Sequence, residues 1–336
     1  MELVGPHGVP YGDFRGGNGS HEGLTMRILV VGAGAIGGYF GGRMLAAGRD
    51  VTFLVRARRE AELVRDGLII RGPGGNLTLS DPPTVRAETL STPFDLVVLS
   101  CKAYDLDDAI ASFAPAVGPD TVILPLLNGM RHLDVLDAAF GAGRVLGGLC
   151  AIAATLDPQR AIVQMAPMHD FVFGERVGGM SERVRAILAQ VEGIGFDARA
   201  SEQILQDMWE KWVFLASLAT STCLMRGSVG DIVAAPGGGA VIRQLFAECA
   251  ATAAANGYPP RDPMVARSTA MITAAGSALT ASMFRDLQQG ARIEADHIVG
   301  DLIARRDARG GKTAGLALLD VAYAHLKTYE NRLGAN

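Results

Sequence analysis

The stretch ILVVGAGAIGGYF at residues 28–40 decides the fold of this chain. Its apolar run stops at Gly-x-Gly-x-x-Gly, and an apolar, Ala-rich segment follows. This order predicts a β-strand that turns tightly into a helix, with a dinucleotide pyrophosphate at the helix N-terminus. Gly32 permits the turn, Gly34 lets the backbone approach the phosphates, and Gly37 lets the helix pack on the strand. The residues expected to contact the cofactor are Gly32, Ala33, Gly34, Ala35, Ile36 and Gly37.

The second predicted strand, at 51–55, indicates which dinucleotide binds. NAD-binding units usually place a carboxylate near the end of this strand, where it bonds the ribose 2′-hydroxyl. Here the strand runs into Arg56, while Asp50 lies at the opposite end, about 15 Å away by strand rise. A guanidinium suits a 2′-phosphate, so the sequence favours NADP(H). The alternative is a solvated arginine cluster, formed with Arg58 and Arg59, at the start of a surface helix.

The composition is that of a globular protein whose partners are small molecules. The 336 residues are enough for about two domains, and 49% of them are apolar. The net charge of −4 argues against nucleic acid or an anionic membrane as a partner. The four cysteines form no C-x-x-C pair and the histidines show no metal-ligand spacing. This usage predicts reduced thiols, no metal site and a cytoplasmic protein.

No apolar run approaches the roughly 18–20 residues that span a bilayer. The closest, at 212–225, is interrupted by Ser217 and three further hydroxyl residues. Residues 1–25 are glycine-rich and polar and lack the apolar core of a signal peptide, so we expect a flexible extension. The fold is then expected to begin at Met26.

Short apolar runs alternate with helical patterns from Met26 to about residue 197. Strands are predicted at 27–31, 51–55, 68–71, 77–79, 96–100, 122–126, 145–154, 161–165 and 171–173. Helices are predicted at 36–47, 105–113, 133–139 and 182–192. The alternation indicates a doubly wound, mostly parallel sheet. The stretch 145–174 lacks a helical period and is expected to add antiparallel strands at one edge.

The pattern becomes helical after about Ala200. Helical windows cover 202–225, 239–256, 263–275, 282–289, 293–306 and 313–329, and Gly and Pro residues separate them. The predicted fold class is α/β, with an N-terminal Rossmann-type domain at 26–198 and an all-helical domain at 199–336. A ligand cleft between the two domains is the default expectation.

Two polar residues follow strands at the carboxyl edge of the predicted sheet, where open α/β sheets bind ligands. Lys102 follows the strand at 96–100, and Asn128 follows the strand at 122–126. The alternative for Lys102 is a solvated loop cation, and the alternative for Asn128 is a simple Asn-Gly turn. Because both share an edge with the glycine turn and Arg56, we predict that they act together at the ligand site.

Lys211 stands in the run WEKWVFL at 209–215. Met208, Phe214 and Leu215 lie three or four residues from it, so the lysine projects from an apolar helix face. Burial of the ammonium would lower its pKa towards a range useful for a proton donor. Taken alone, the pattern favours the alternative of a snorkelling lysine whose head reaches water.

The chain resembles the ketopantoate reductase (2-dehydropantoate 2-reductase) family from about Met26 to Glu330. The resemblance rests on an ordered set of motifs, which is more specific than any one of them. They are VGAGAIGG at 31–38, SCKAY at 100–104, LNGM at 127–130, WEK at 209–211, SMFRD at 282–286 and IEAD at 293–296.

This resemblance implies NADPH-dependent reduction of a 2-keto acid, with 2-dehydropantoate as the expected substrate on the route to pantothenate and coenzyme A. It implies that Lys211 is the general acid. Glu294 would bond the substrate hydroxyl, contact the cofactor and help to position Lys211. Hydride addition builds negative charge on oxygen, and a cation already in place both stabilises that charge and supplies the proton.

The remaining roles implied by the resemblance belong to binding. Lys102 and Asn128 would contact both cofactor and substrate where the nicotinamide meets the keto acid. Ser282 would bond the substrate carboxylate, and Arg56 would hold the cofactor 2′-phosphate.

The spacing of Ser282 and Glu294 makes a geometric prediction. They are twelve residues apart, about 18 Å along a continuous helix. One small keto acid would not touch both, so we expect the helix to break near Gly290.

Two positions depart from the family pattern. Family members commonly carry asparagines four and eight residues after the catalytic lysine, where this chain has Leu215 and Ala219. Without these amides the expected reaction type is unchanged, but a bulkier or less hydroxylated 2-keto acid becomes an alternative substrate. Reduction of an imine and a non-catalytic NADP-binding redox sensor are further alternatives; Lys211 and Glu294 argue against the sensor. The sequence is also compatible with a homodimer.

Overall fold

The computed structural model describes residues 26–311 and 315–334. The predicted extension at 1–25 lies outside the described residues. Two β-sheets occupy the N-terminal part of the described chain and helices make up the rest, which confirms the predicted α/β class with a helical C-terminal part.

Five parallel strands form the first sheet. The strands of the described residues are β1 (Arg27–Val31), β2 (Asp50–Leu54), β3 (Leu68–Arg71), β4 (Leu77–Leu79), β5 (Thr84–Val85), β6 (Phe94–Leu99), β7 (Val117–Pro125), β8 (Gly147–Leu156), β9 (Ile162–Gly174) and β10 (Asp197–Ala200). The first sheet has the order β5-β2-β1-β6-β7, and all its pairs are parallel. The chain therefore reverses its winding direction beside β1, which is where open α/β sheets bind ligands.

The second sheet has the order β10-β9-β3-β4, with β8 paired to β9. β8 and β9 are antiparallel, as expected for 145–174. Their predicted place at the edge of the first sheet is wrong, because they join β3, β4 and β10 in a sheet of their own. An isolated bridge between Ile123 and Val145 connects the two sheets. β9 is also one continuous strand where two were predicted, although its pairing with β8 shifts register between Ile152 and Ala154, opposite residues 165–168.

Twelve α-helices lie within the described residues. They are α1 (Gly37–Ala46), α2 (Ala57–Asp66), α3 (Leu106–Phe113), α4 (Arg131–Phe140), α5 (Glu182–Val191), α6 (Ile204–Met225), α7 (Val229–Ala234), α8 (Gly238–Ala255), α9 (Asp262–Ile272), α10 (Ser282–Gln288), α11 (Asp301–Ala308) and α12 (Leu318–Gly334). α2 was named only in the alternative of a surface helix that starts at the arginine cluster, and α7 was not predicted. α2 is rich in charge, and α7 is too short to show a period and is held by a capping box between Ser228 and Asp231.

α6 is the central helix of the C-terminal part. It packs against β8, α8, α10 and α12, and Trp212 and Cys223 are fully buried on it. The hydroxyls that interrupt its apolar sequence bond back to carbonyls of the preceding turn, as from Thr220 to Ala216 at 2.7 Å. None of the described helices combines the length and apolarity needed to cross a membrane.

The predicted break in the helix after Ser282 is confirmed. α10 ends at Gln288, and Gly290 adopts a φ of +66°, the left-handed conformation that glycine reaches most easily. The chain resumes helical structure in a π-helical turn at Asp296–Gly300, which leads directly into α11. Glu294 therefore lies on a separate segment from α10.

Candidate active site

The glycine turn after β1 has the geometry of a phosphate-binding turn. Gly32 has a φ of +93°, and its N–H donates to the carbonyl of Leu54 at 2.9 Å. A Cβ on Gly37 would lie 2.2 Å from Ser100 Oγ and 2.3 Å from the Gly32 carbonyl oxygen, so only glycine lets α1 approach β1 and β6 this closely. A Cβ on Gly34 would meet nothing within 4 Å, which leaves its backbone open to a ligand.

A cavity of about 370 Å³ lies beside this turn. Ala33 is buried, while Ala35 and Ile36 complete the turn before α1. The polar and small residues that line the cavity include Gly32, Gly34, Arg56, Arg59, Cys101 and Arg160. An open glycine cradle with three guanidinium groups fits a phosphorylated dinucleotide.

Arg56 stands at the cavity as predicted, directly after β2. Its side chain is 75% exposed, and its guanidinium lies 3.7 Å from Asp105 and 3.8 Å from Asp108. These long, exposed pairs hold the arginine only weakly. The side chain is therefore free to turn towards a ligand, although its charge is matched by its own carboxylate neighbours.

Lys102 joins the first sheet to the C-terminal part of the chain. Its ammonium donates to Asp286 at 2.9 Å and to Glu294 at 3.4 Å. Burial acts to lower the pKa of Lys102, but the charges of Glu294 and Asp286 outweigh it and the pKa is raised. Lys102 is thus a stable cation at the carboxyl edge of the sheet.

The Glu294 carboxylate accepts hydrogen bonds from two donors on the loop after β6. It accepts a hydrogen bond from the Ala103 N–H at 2.9 Å as well as the one from Lys102. Its side chain is 11% exposed. This carboxylate is therefore fixed against the loop after β6.

Lys211 is partly buried on α6, where its side chain lines both a small cavity and a wider cleft. Burial lowers the pKa of its ammonium, while the negative charge of the nearby Glu294 carboxylate acts in the opposite direction. Within the described part of the chain, no hydrogen bond occupies its Nζ atom. A desolvated ammonium with spare donors is suited to protonate a bound substrate.

Asn128 and Lys211 line the same small cavity, with Leu215 on its wall. Asn128 follows β7, and the next residue, Gly129, has a φ of +77°. A Cβ on Gly129 would lie 3.0 Å from the His297 carbonyl oxygen, so the turn packs directly on the π-helical segment.

The π-helical turn contacts the loop that carries Asn128 and the helix that carries Lys211. Glu294 precedes it, His297 packs on Gly129, and the Ile298 carbonyl accepts from Trp212 Nε1 at 2.9 Å. His297 also stacks on His132, with ring centroids 5.5 Å apart. Such π-helical turns occur often at functional sites.

Ser282 is the predicted residue that the structure does not bring to the others. It is exposed at the first residue of α10, and none of the hydrogen bonds among the described residues joins it to Lys211, Asn128 or Glu294. Its assignment to the substrate carboxylate stays a prediction.

Sequence reasoning gave no role to Asp286, His297 or Arg160. Asp286 was part of a quoted motif, but its pairing with Lys102 spans 184 residues of sequence. Arg160 reaches the cavity beside the glycine turn from the turn between β8 and β9. No local signal marks such long-range contacts.

A wider cleft of about 640 Å³ reaches Lys211 from the second sheet. Leu149, Val172, Phe214 and Met264 supply apolar walls, and Arg261 pairs with Asp207 and Glu210 at its margin. In the part of the chain that the structure describes, no group of His, Cys, Asp and Glu side chains is arranged to hold a metal ion.

Two protein-family models match consecutive parts of the chain. The family model for "Ketopantoate reductase PanE/ApbA" matches residues 28–178, and that for "Ketopantoate reductase PanE/ApbA C terminal" matches residues 203–330. An uncharacterized oxidoreductase of Bacillus subtilis, YkpB, is 37% identical over 307 residues, covering 91% of this chain and 99% of that protein. The 2-dehydropantoate 2-reductase of Halobacterium salinarum is 28% identical over 83% of this chain and 92% of its own.

The fold agrees with these matches. The crystal structure of 2-dehydropantoate 2-reductase from Methylococcus capsulatus superposes with a TM-score of 0.80 at 29% identity, over 92% of this chain and 98% of that one. Together the two family models cover most of the chain. The chain is an oxidoreductase that belongs to the ketopantoate reductase family, whose members depend on NAD(P).

Proposed function

We propose that the protein reduces a 2-keto acid to the 2-hydroxy acid with NADPH, with 2-dehydropantoate as the leading substrate and pantoate as its product. The observation that carries the proposal is the partly buried, lowered-pKa ammonium of Lys211, which shares a cavity with Asn128 and is within electrostatic reach of Glu294. In the balanced reaction the keto acid, NADPH and a proton give the hydroxy acid and NADP⁺.

The glycine turn and its cavity fit the cofactor. Gly34 leaves room for a pyrophosphate, and the first N–H groups of α1 favour its charge. When bound there, NADPH supplies the hydride that reaches the carbonyl carbon.

The chain's own residues would handle the charge on oxygen. Lys211 Nζ donates a hydrogen bond to the carbonyl oxygen and passes its proton as the alkoxide develops. Asn128, which lines a small cavity of about 10 Å³ together with Lys211, orients the keto acid beside that lysine. Glu294 accepts a hydrogen bond from the substrate hydroxyl and keeps Lys211 protonated through its charge.

The apolar walls near Lys211 bear on which keto acid the protein reduces. Leu215 stands beside Lys211 and Asn128 in the small cavity, and Phe214 and Met264 line the wider cleft. These apolar surfaces favour a second candidate, a 2-keto acid with a bulkier or less hydroxylated side chain. A panel that includes 2-dehydropantoate and aliphatic and aromatic 2-keto acids separates the two.

The test is NADPH oxidation with that panel, for the wild type and for Lys211→Ala. We expect turnover of at least one keto acid, and a loss in kcat of roughly 10²–10⁴-fold in the variant, the usual contribution of a positioned general acid. Lys327→Ala is the control, since that lysine is bound to Asp296 and Glu330 away from this cavity. The absence of turnover with every keto acid would overturn the proposal.

A further inference from the structure

Two guanidinium groups that line the cavity beside the glycine turn, those of Arg59 and Arg160, belong to a cluster that also contains Arg58 and surrounds Glu62. We name these four residues the Glu62 cluster. The Glu62 carboxylate accepts from Arg58 Nε at 3.1 Å, from Arg59 Nη1 at 3.2 Å and from Arg160 Nε at 3.2 Å. Three guanidinium groups share one carboxylate, which leaves an excess of two positive charges.

Arg59 connects this cluster to the phosphate-binding turn. Its Nε donates to the carbonyl of Ala33 at 3.0 Å, and its side chain is 11% exposed. Its Nη2 is buried and has no partner among the described residues. An unpaired buried donor is unfavourable, so an acceptor brought to this wall would be bound favourably.

Arg160 is positioned by an unusual backbone conformation. It has a φ of +67°, and it is one of two non-glycine residues with positive φ in the described chain. Asp157 fixes the turn by accepting from the Arg160 N–H at 2.9 Å and from the Ala161 N–H at 2.8 Å. Asp157 also pairs with Arg71 on β3 at 3.3 Å. The turn between β8 and β9 therefore presents a cation from the second sheet to a cavity of the first sheet.

The other charged groups around this cavity carry no excess positive charge, because Arg56 faces two carboxylates and Arg86 is shared between Glu60 and Glu88. Glu88 is largely exposed and lies 3.8 Å from Arg86, which is outside the cavity. The uncompensated positive charge thus lies at the Glu62 cluster, next to the glycine turn.

We propose that Arg160, with Arg59 behind it, binds the phosphate monoester on the ribose of the cofactor, so that the Glu62 cluster, in addition to Arg56, sets the preference for NADPH over NADH. This inference rests on the proposed reductase function. A phosphate dianion matches the excess charge of the cluster, and guanidinium groups bind phosphate oxygens through paired N–H donors. An unphosphorylated ribose gives the cluster no charge to bind.

Equilibrium titration of the full chain with NADPH and with NADH tests this assignment without any keto acid. Loss of one charge-assisted bond of about 1.5–3 kcal/mol should weaken NADPH binding roughly 10–150-fold in Arg160→Gln. The Kd for NADH should stay within about twofold, because a neutral ribose makes no such bond. The same variant should lose the preference of the wild type for 2′,5′-ADP over 5′-AMP. Arg86→Gln is the matched control and should change neither Kd.

Two results would overturn the assignment. One is a wild type that binds NADH as tightly as NADPH, and the other is an Arg160→Gln variant that keeps full NADPH selectivity or loses affinity for both dinucleotides equally. A thermal unfolding midpoint close to that of the wild type shows that the variant is folded. If NADPH binds selectively but no keto acid is reduced, the reductase proposal fails while this binding result still stands on its own.

Discussion

Lys211 is the residue on which the proposed chemistry depends, and its environment predicts a pH dependence. Reduction needs the ammonium form, so the rate should be constant below the pKa of Lys211 and fall as pH rises through it. Because burial lowers that pKa, the fall in kcat/KM should lie below the ordinary lysine value of 10.5. A pH–rate profile of keto acid reduction measures it.

Substitution of Glu294 should shift the pH–rate profile of keto acid reduction in a direction that its charge predicts. Its negative charge raises the pKa of Lys211 against the effect of burial. Glu294→Gln keeps an oxygen acceptor for the Ala103 N–H but removes the charge, so the falling limb should shift to lower pH and kcat should decrease. Glu182→Gln, at the exposed start of α5, is the control. A limb that stays in place in Glu294→Gln would contradict the proposed coupling.

Leu215 should influence which keto acid is reduced. Leu215→Asn places an amide beside Lys211 and Asn128, where it can bond a hydroxyl of the substrate. The ratio of kcat/KM for a hydroxylated over an aliphatic keto acid should rise by about tenfold, the range that one hydrogen bond in a pocket supplies. Leu205→Asn, earlier on the same helix, is the control. An unchanged ratio would show that this wall does not contact the substrate.

At the level of elements, two glycines of the turn after β1 should respond differently to substitution by alanine. Gly37→Ala must push α1 away from Ser100 and Gly32, so both stability and dinucleotide affinity should fall, with a loss in unfolding free energy of about 1–3 kcal/mol. Gly34→Ala meets no atom of the protein and should fold normally, yet its methyl group fills the space for the pyrophosphate. Chemical unfolding and NADPH titration of both variants test this. Equal destabilisation by the two changes would contradict the turn geometry.

The elements also show what sequence reasoning could reach. The glycine turn, the central strands and the break at Gly290 were predictable because each depends on residues close together in sequence. α2 was named only as an alternative because its charged residues hide its short apolar face, which includes the buried Leu63. The second sheet was missed because β9 pairs with β3 and β10, and pairings over such separations leave no local pattern.

The same distinction holds for the candidate site. Lys102, Asn128 and Lys211 were proposed from strand ends and a helix face. The structure brings Asn128 and Lys211 to one small cavity and bonds Lys102 to Asp286 and Glu294. The pairing of Lys102 with Asp286 and the contact of Arg160 with Glu62 required coordinates, since each joins distant parts of the chain.

At the level of the whole molecule, the cofactor should stabilise the fold. A ligand that binds only the native state adds about 2.7 kcal/mol at a hundredfold excess over its Kd. We expect NADPH to raise the unfolding midpoint by several degrees and Gly34→Ala to abolish this rise. Differential scanning calorimetry with and without NADPH measures both. An equal rise in the variant would place the dinucleotide away from the glycine turn.

The account as a whole requires that an ammonium from α6 meets the substrate held at the edge of the first sheet. The most direct measurement is the single-turnover rate of hydride transfer from bound NADPH to the preferred keto acid in Lys211→Ala. The account predicts a rate roughly 10²–10⁴-fold below that of the wild type, with partial recovery when a small primary amine is added at a pH where it is protonated. A wild-type rate without added amine would contradict it.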